Sequence, residues 1–242
     1  MKSHLRHKEN CLEVVTLEFK GRSHEEFDLL LTSMGRRSKA EEQIEIYPVP
    51  YRDDEPSEHT GKYKPYLRPM EFMINDNTKR GQIYQWLDGY GKLRTSKDPN
   101  GYFKAEVIQA IDSDKLAGLY DKILVTFKIN PGFFYMDSGD TPVVMTVLGT
   151  IVNMGTIYSE PLIRIVGTGN ITLTINGRVI IFTGIETFVD IDPDITPSVY
   201  KNNENQGYKM VGDLPMFDVG PNIITWTGSV TEIDILPRWR EL

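Results

Sequence analysis

Four histidines, one cysteine and a run of aspartates are the residues of this 242-residue chain whose types could do chemistry. His4, His7, His24 and His59 stand in polar stretches without His-Glu-x-x-His or comparable spacing, so solvated surface histidines are the expectation. Cys11, alone in the chain, permits neither an intrachain disulfide nor a multi-cysteine zinc site; it suits a small apolar residue at the start of a strand. Asp190-Ile191-Asp192-Pro193-Asp194 starts like a calcium loop. Ile195 then occupies the sixth position, where the sharp turn needs glycine, and Lys201 the twelfth, where a bidentate glutamate belongs. Alternation instead makes Asp190 and Asp192 the wet face of a strand whose dry face is Val189 and Ile191. Gly167-Thr168-Gly169-Asn170 lacks the following helix whose N-terminus would hold a phosphate, so a turn between two strands is expected. No Gly-x-Ser-x-Gly elbow occurs, and among 34 acidic residues nothing singles out a glycosidase pair. The expected site list is therefore empty: no catalytic residue, no metal ligand, no cofactor and no enzymatic activity.

The elements that would position any site are strands. Apolar residues alternate with polar ones at Val15, Leu17 and Phe19, at Met70, Phe72 and Ile74, and at Phe103, Ala105 and Val107. The same period recurs at Ile123, Val125, Phe127 and Ile129, and at Ile171, Leu173 and Ile175. Ile44 and Ile46 form a shorter face that Pro48 and Pro50 terminate. Further strands are predicted over 162–166, 178–183, 188–192, 223–227 and 230–236. Asn176-Gly177 between two alternating runs is a strong hairpin signal. Asp98-Pro99-Asn100-Gly101 and Gly228-Ser229 are predicted as two more tight turns. One helix is predicted, from about Thr78 to Asp88, with Ile83, Trp86, Leu87 and Tyr90 on one stripe and Gly89 as its stop. Residues 113–122 are assigned a short helical turn, and the charged stretch 52–64 an exposed linker. A boundary at the DSGDTP segment, 137–142, divides the chain into residues 1–136, strands with one packed helix, and 137–242, strands alone.

Composition narrows the function classes. With 27 basic and 34 acidic residues the net charge is −7, and no long basic cluster exists to grip nucleic acid. No run approaches the roughly 18 apolar residues of a membrane span, so membrane insertion is not expected. The leader MKSHLRHKEN precedes no apolar segment, so synthesis in the cytoplasm without a secretory signal is expected.

The stretch Gly155–Ile175, GTIYSEPLIRIVGTGNITLTI, resembles the entry to the C-terminal domain of distal tail proteins of long non-contractile-tailed phages, with Asn153, Gly155 and Pro161 in its turn and strand positions. Leu214-Pro215, the run Asp218 to Asn222, and the closing Pro237-Arg238-Trp239 are similar to the same family. The first half resembles it more loosely, in the order strands, a helix with Trp86 and Leu87, then a strand ending Asn130-Pro131-Gly132-Phe133-Phe134-Tyr135. The leader before Leu12 and the 52–64 segment depart from the pattern.

The resemblance implies a mainly β protein, with an N-terminal β-sandwich-like domain carrying one packed helix and a C-terminal galectin-like β-sandwich. It implies a homo-hexameric ring built by residues 1–136, at the tail tip of a virion, joining the tail tube protein to the tail-associated baseplate hub protein. DNA would pass through as cargo. The alternative kept open by the residues alone is a carbohydrate-binding, lectin-like sandwich; a β-sandwich hydrolase is third.

Overall fold

The computed structural model describes residues 15–47, 50, 55–108, 112–116 and 120–242. The expected class holds: the chain is mainly β, with one packed α-helix. Cys11, His4, His7 and the basic leader lie outside the described residues.

Seven strands of the first nine-stranded sheet run in the order Arg22–Ser23, Leu17–Phe19, Gly89–Thr95, Asp98–Val107, Tyr120–Met136, Tyr66–Ile74, Leu29–Ser33, all antiparallel, and the other two, Asp112–Leu116 and Arg240–Glu241, pair with Tyr120–Met136. Its period-two residues do what the alternation predicts. Phe19, Phe72, Phe103 and Phe127 are fully buried in one cluster, and burying a side chain of this size contributes about 1.5–3 kcal/mol. The helix Arg80–Leu87 caps that cluster with Ile83, Trp86 and Leu87. The Trp86 Nε1 donates to the Phe19 carbonyl at 2.8 Å, and its ring stacks on Phe27 with centroids 4.7 Å apart. Tyr90 drops off the predicted stripe. Gly89, at φ +78°, ends the helix, and Tyr90 lies exposed on the next strand.

The second nine-stranded sheet follows the order Val143–Met145, Gly220–Leu236, Leu162–Ile175, Phe188–Ile191, Val199–Lys201, Glu204–Asn205. Gly149–Asn153 pairs with Gly220–Leu236, while Arg178–Ile185 pairs with Leu162–Ile175 and carries Met210–Val211. Its apolar residues, from Met145 to Trp239, form a second cluster. Asn176 (φ 50°) and Gly177 (φ 82°) make the predicted two-residue turn, with both residues in the left-handed region.

Several local expectations are corrected. Gly167–Asn170 and Gly228-Ser229 are not turns, because each lies inside one long strand, Leu162–Ile175 and Gly220–Leu236. These strands pair with each other, and their register slips at the two glycine sites together, a paired bulge. A Cβ on Gly228 would stand 2.4 Å from the Asn170 carbonyl, and one on Gly167 2.3 Å from that of Ser229. Glycine here permits close backbone approach rather than chain reversal. The turn assigned to Asp98–Gly101 sits at Ser96-Lys97, and Asp98–Val107 is already strand. In place of a helical turn over 113–122, Asp112–Leu116 pairs antiparallel with the start of Tyr120–Met136. Ser57–Tyr63, assigned to a linker, pairs with Glu42–Ile46 as a two-stranded ribbon, whose Ile44 and Ile46 are exposed rather than facing a core. His24 is buried, with Nδ1 3.1 Å from the Leu17 carbonyl, and only His59 among the described histidines is solvated.

Candidate interaction surfaces

The two sheets meet at a buried ionic clasp. Phe188–Ile191 delivers Asp192 to the junction, and the C-terminal segment delivers Arg238. Arg238 Nη1 and Nη2 hold the two Asp192 oxygens at 2.7 and 3.0 Å, and Nη1 lies 3.2 Å from Asp194. Lys104, from the first sheet, also pairs with Asp194. Burial raises the Asp192 carboxyl, but the Arg238 hydrogen bonds and the Asp194 amide outweigh it and hold the group below its usual value. Burial likewise works against the Arg238 charge, and the Asp192 bonds with the field of Asp194 more than restore it. Asp190 and Asp192 are therefore not a wet face. Both are buried under arginines, Asp190 beneath Arg164 at 2.6 and 2.9 Å.

Beyond Arg238 the chain returns to the first sheet, where Arg240–Glu241 pairs with Phe134–Tyr135. The Asn153 turn receives this tail. Asn153 Oδ1 accepts from the Gly155 amide at 2.9 Å, its Nδ2 donates to the Ile157 carbonyl, and a Cβ on Gly155 would stand 2.2 Å from the Arg240 carbonyl. Arg240 Nε donates to the Tyr158 carbonyl at 2.7 Å, and its guanidinium lies 4.5 Å from the centre of the Phe133 ring. Burial is the first cause that pushes the nearby Tyr135 hydroxyl up to about 12. Among the described residues, neither that hydroxyl nor Arg240 Nη2 has a hydrogen-bond partner.

Two exposed faces of the second sheet differ in chemistry. One carries a charged row, Asp234, Arg164 and Asp190, above an open depression of about 520 Å³. The other holds no charge in its rows. Val211, Ile181, Thr172 and Thr227 stand side by side across four strands, followed by Val179, Thr174 and Thr225, and then by Ile223 with Thr150. Val211 and Ile223 are 66% and 60% exposed. Contiguous exposed apolar surface of this kind is a usual mark of a protein contact.

No family model matches the sequence, and no curated protein matches it. Solved structures do match. The SPP1 Dit (gp 19.1) protein, described as a paradigm of the hub adsorption apparatus in Gram-positive infecting phages, superposes with a TM-score of 0.70. The match covers 92% of this chain and 98% of that one, at 12% identity. The chain has the fold of a distal tail protein. A chain of the phage p2 baseplate, in its activated conformation with Sr, is also similar, at TM-score 0.43 and 7% identity over 91% of this chain and 97% of that one.

Within this distal tail fold, the residues that carried the sequence resemblance gather around the returning tail. Asn153 and Gly155 seat Arg240, and Arg238 locks onto Asp192. Asn222, fully buried, accepts from the Asp218 amide at 2.8 Å and ties that loop to the Asn176 turn. These positions act in seating one segment on another. Sequence reasoning did not find the pairing of the arginines, whose partners lie 26 and 46 residues away for Arg164 and Arg238. Among the described residues no cluster of three or more His, Cys, Asp or Glu is placed to hold a metal, and no helix is long and apolar enough to cross a membrane.

Proposed function

We propose that this chain is a non-enzymatic structural protein of a phage tail, a distal tail protein that assembles as a homo-hexameric ring. The observation that carries this reading is the agreement of fold over nearly the whole length of both this chain and the SPP1 hub adsorption protein. Residues 1–136 build the ring, and 137–242 form a galectin-like sandwich around it. A ring closes through two different patches of each subunit. The two-stranded ribbon, with Ile44 and Ile46 exposed, and the uncharged rows of the second sheet supply apolar surface for contacts between copies or with neighbours. The ring joins the tail tube protein on one side to the baseplate hub protein on the other, at the tail tip of the virion, after synthesis in the host cytoplasm. DNA passes through as cargo. The net charge of −7 favours passage over adhesion to the wall.

The test is sedimentation of the full chain at high concentration with negative-stain imaging, then mixing with the tail tube and hub proteins of the same phage. A ring, or a complex with either neighbour, is the expected outcome. A chain that stays monomeric at high concentration and binds neither neighbour overturns the proposal.

A further inference from the structure

One row of side chains crosses five strands of the second sheet. Pairing sets Val144 opposite Asp234, Asp234 opposite Arg164, Arg164 opposite Asp190, and Asp190 opposite Tyr200. Residues directly opposite in antiparallel strands point to the same face, with Cβ atoms about 4.5–5.5 Å apart. The row therefore presents apolar, acid, base, acid and phenol in that order. In the next row Leu162 pairs with Leu236, and with Val144 they form an apolar floor beside the charges.

Hydrogen bonding along the row is uneven. Both Asp190 oxygens are occupied by Arg164 Nε and Nη2, and Asp190 is only 3% exposed. That fork fixes the guanidinium and leaves Arg164 Nη1 without an acceptor among the described residues, on a side chain 49% exposed. On its other flank Asp234, half-buried, pairs with no cation among the described residues. The Tyr200 hydroxyl stands at the far end, likewise without a protein partner among the described residues. A donor, a pure acceptor and a donor–acceptor are thus held on rigid strands beside aliphatic carbon.

Each simpler ligand class meets an obstacle here. An anion would face two carboxylates against one guanidinium already neutralised by Asp190. A metal cation would find one free carboxylate beside an arginine. An apolar segment would strip water from Asp234 without replacing its hydrogen bonds, which leaves a carboxylate desolvated and unpaired. A neutral ligand with several hydroxyls matches the hydrogen-bonding sense of all three groups, and two adjacent hydroxyls match Arg164 and Asp234. One hydroxyl accepts from Arg164 Nη1, its neighbour donates to Asp234, and the C–H face of the ring covers Leu162, Leu236 and Val144.

We propose that this row is a binding site for a neutral sugar, recognised through a vicinal diol by Arg164 and Asp234 over the Leu162–Leu236 floor. The sugar is either a free monosaccharide or a unit of a bacterial surface polysaccharide, and the assay has an arm for each. The full chain, uniformly ¹⁵N-labelled, is titrated with glucose, galactose, rhamnose and N-acetylglucosamine, and is separately exposed to an array of bacterial polysaccharides. Expected are amide shifts confined to 162–166, 188–192 and 234–236 with at least one monosaccharide, and capture of at least one neutral polysaccharide if the surface glycan is the source. Asp234→Asn, which keeps side-chain shape, should weaken binding about tenfold or more, the factor carried by one charge-assisted hydrogen bond. Tyr200→Phe removes a single hydroxyl and should weaken it less. Unchanged circular dichroism and melting temperature keep both variants interpretable. Silence in both arms up to about 100 mM monosaccharide, far above a millimolar dissociation constant, overturns the proposal. So does binding that neither variant alters, or binding of inorganic phosphate in place of sugar. None of these readouts depends on ring assembly, so failure of one proposal leaves the other standing.

Discussion

Replacing Arg238 with methionine tests whether the clasp between the sheets is an energetic element. The substitution keeps most of the aliphatic stem and removes the guanidinium. Two hydrogen bonds to Asp192, at 2.7 and 3.0 Å, are lost together with the 3.2 Å contact to Asp194. Asp192 then keeps one donor, the Asp194 amide at 2.9 Å, for a carboxylate 8% exposed. Hydrogen bonds to charged groups contribute about 1.5–3 kcal/mol each, so two give about 3–6 kcal/mol. Breaking a buried ion pair costs about 3–5 kcal/mol, which agrees. Arg238 itself is 15% exposed and borders an open cleft, where water reaches the orphaned carboxylate, so the expected loss is near the lower end, about 3 kcal/mol. For a cooperative unit of this size that lowers the melting temperature by roughly 6–12 °C. Calorimetry and urea unfolding measure the loss. Asp192→Asn in the Arg238→Met background should cost much less than it does alone, because the charge it removes is already unpaired. Hydrogen exchange supplies a second readout, since the Phe134–Tyr135 and Arg240–Glu241 amides should lose protection first. A loss under about 1 kcal/mol, or strict additivity of the two substitutions, would refute the assignment.

Other expectations follow from the same geometry. Gly228→Val sets a Cβ 2.4 Å from the Asn170 carbonyl at φ +101°, whereas Gly177→Val meets open space at φ +82°. The first should destabilise by more than about 2 kcal/mol and the second by about 1 kcal/mol, and urea midpoints in the reverse order would count against the paired bulge. Asp137, beside Arg94, Asp192, beside Arg238 once burial is offset, and Asp218, beside Arg178, all have carboxyls held below the usual value near 3.8. The folded chain binds fewer protons there than the unfolded chain, so this stability is complete above pH 4 or so and is lost as pH falls through the depressed values. A urea midpoint constant from pH 7 to pH 2 would contradict it. Trp86→Ala should cost about 3–5 kcal/mol, seen in thermal unfolding, because the ring leaves Phe27 and the Phe19 carbonyl together.

The strand faces were legible because each one repeats every second residue and needs no distant partner to be recognised. Phe72, Phe127 and Leu173 are buried where the alternation places them. The type of break between strands was less legible. A glycine inside an alternating run signals a turn or a bulge equally well, and strands of 14 and 17 residues exceed the usual five or six. Dividing them at Gly167 and Gly228 was the shorter account, and only pairing distinguishes the two. Charged pairs were illegible for another reason. Asp190 and Asp192 look solvent-facing in sequence because their covering arginines arrive from elsewhere in the chain, Arg164 from a neighbouring strand and Arg238 from the C-terminal segment. The Asn153 turn is legible in sequence only as a pattern, because its cause, the close approach of the Arg240 backbone to Gly155, comes from the far end of the chain.

That tail contact links the fold to the proposed role. The last residues of the chain complete the edge of a sheet whose other strands come before residue 137, so the two halves share one antiparallel ladder as well as a clasp. Tyr102, Phe133, Tyr135 and Ile157, with Leu242 against them, fill the space between with a third apolar cluster. Independent folding of the two halves therefore meets a specific obstacle. Removing residues 137–242 also removes Arg240–Glu241 and exposes the ladder edge at Phe134–Tyr135, a template for unwanted pairing. A ring subunit gains from this arrangement in a way that a pair of linked modules would not. In the proposed ring, a load applied to residues 137–242 would reach residues 1–136 through strand pairing and buried charge rather than through a hinge.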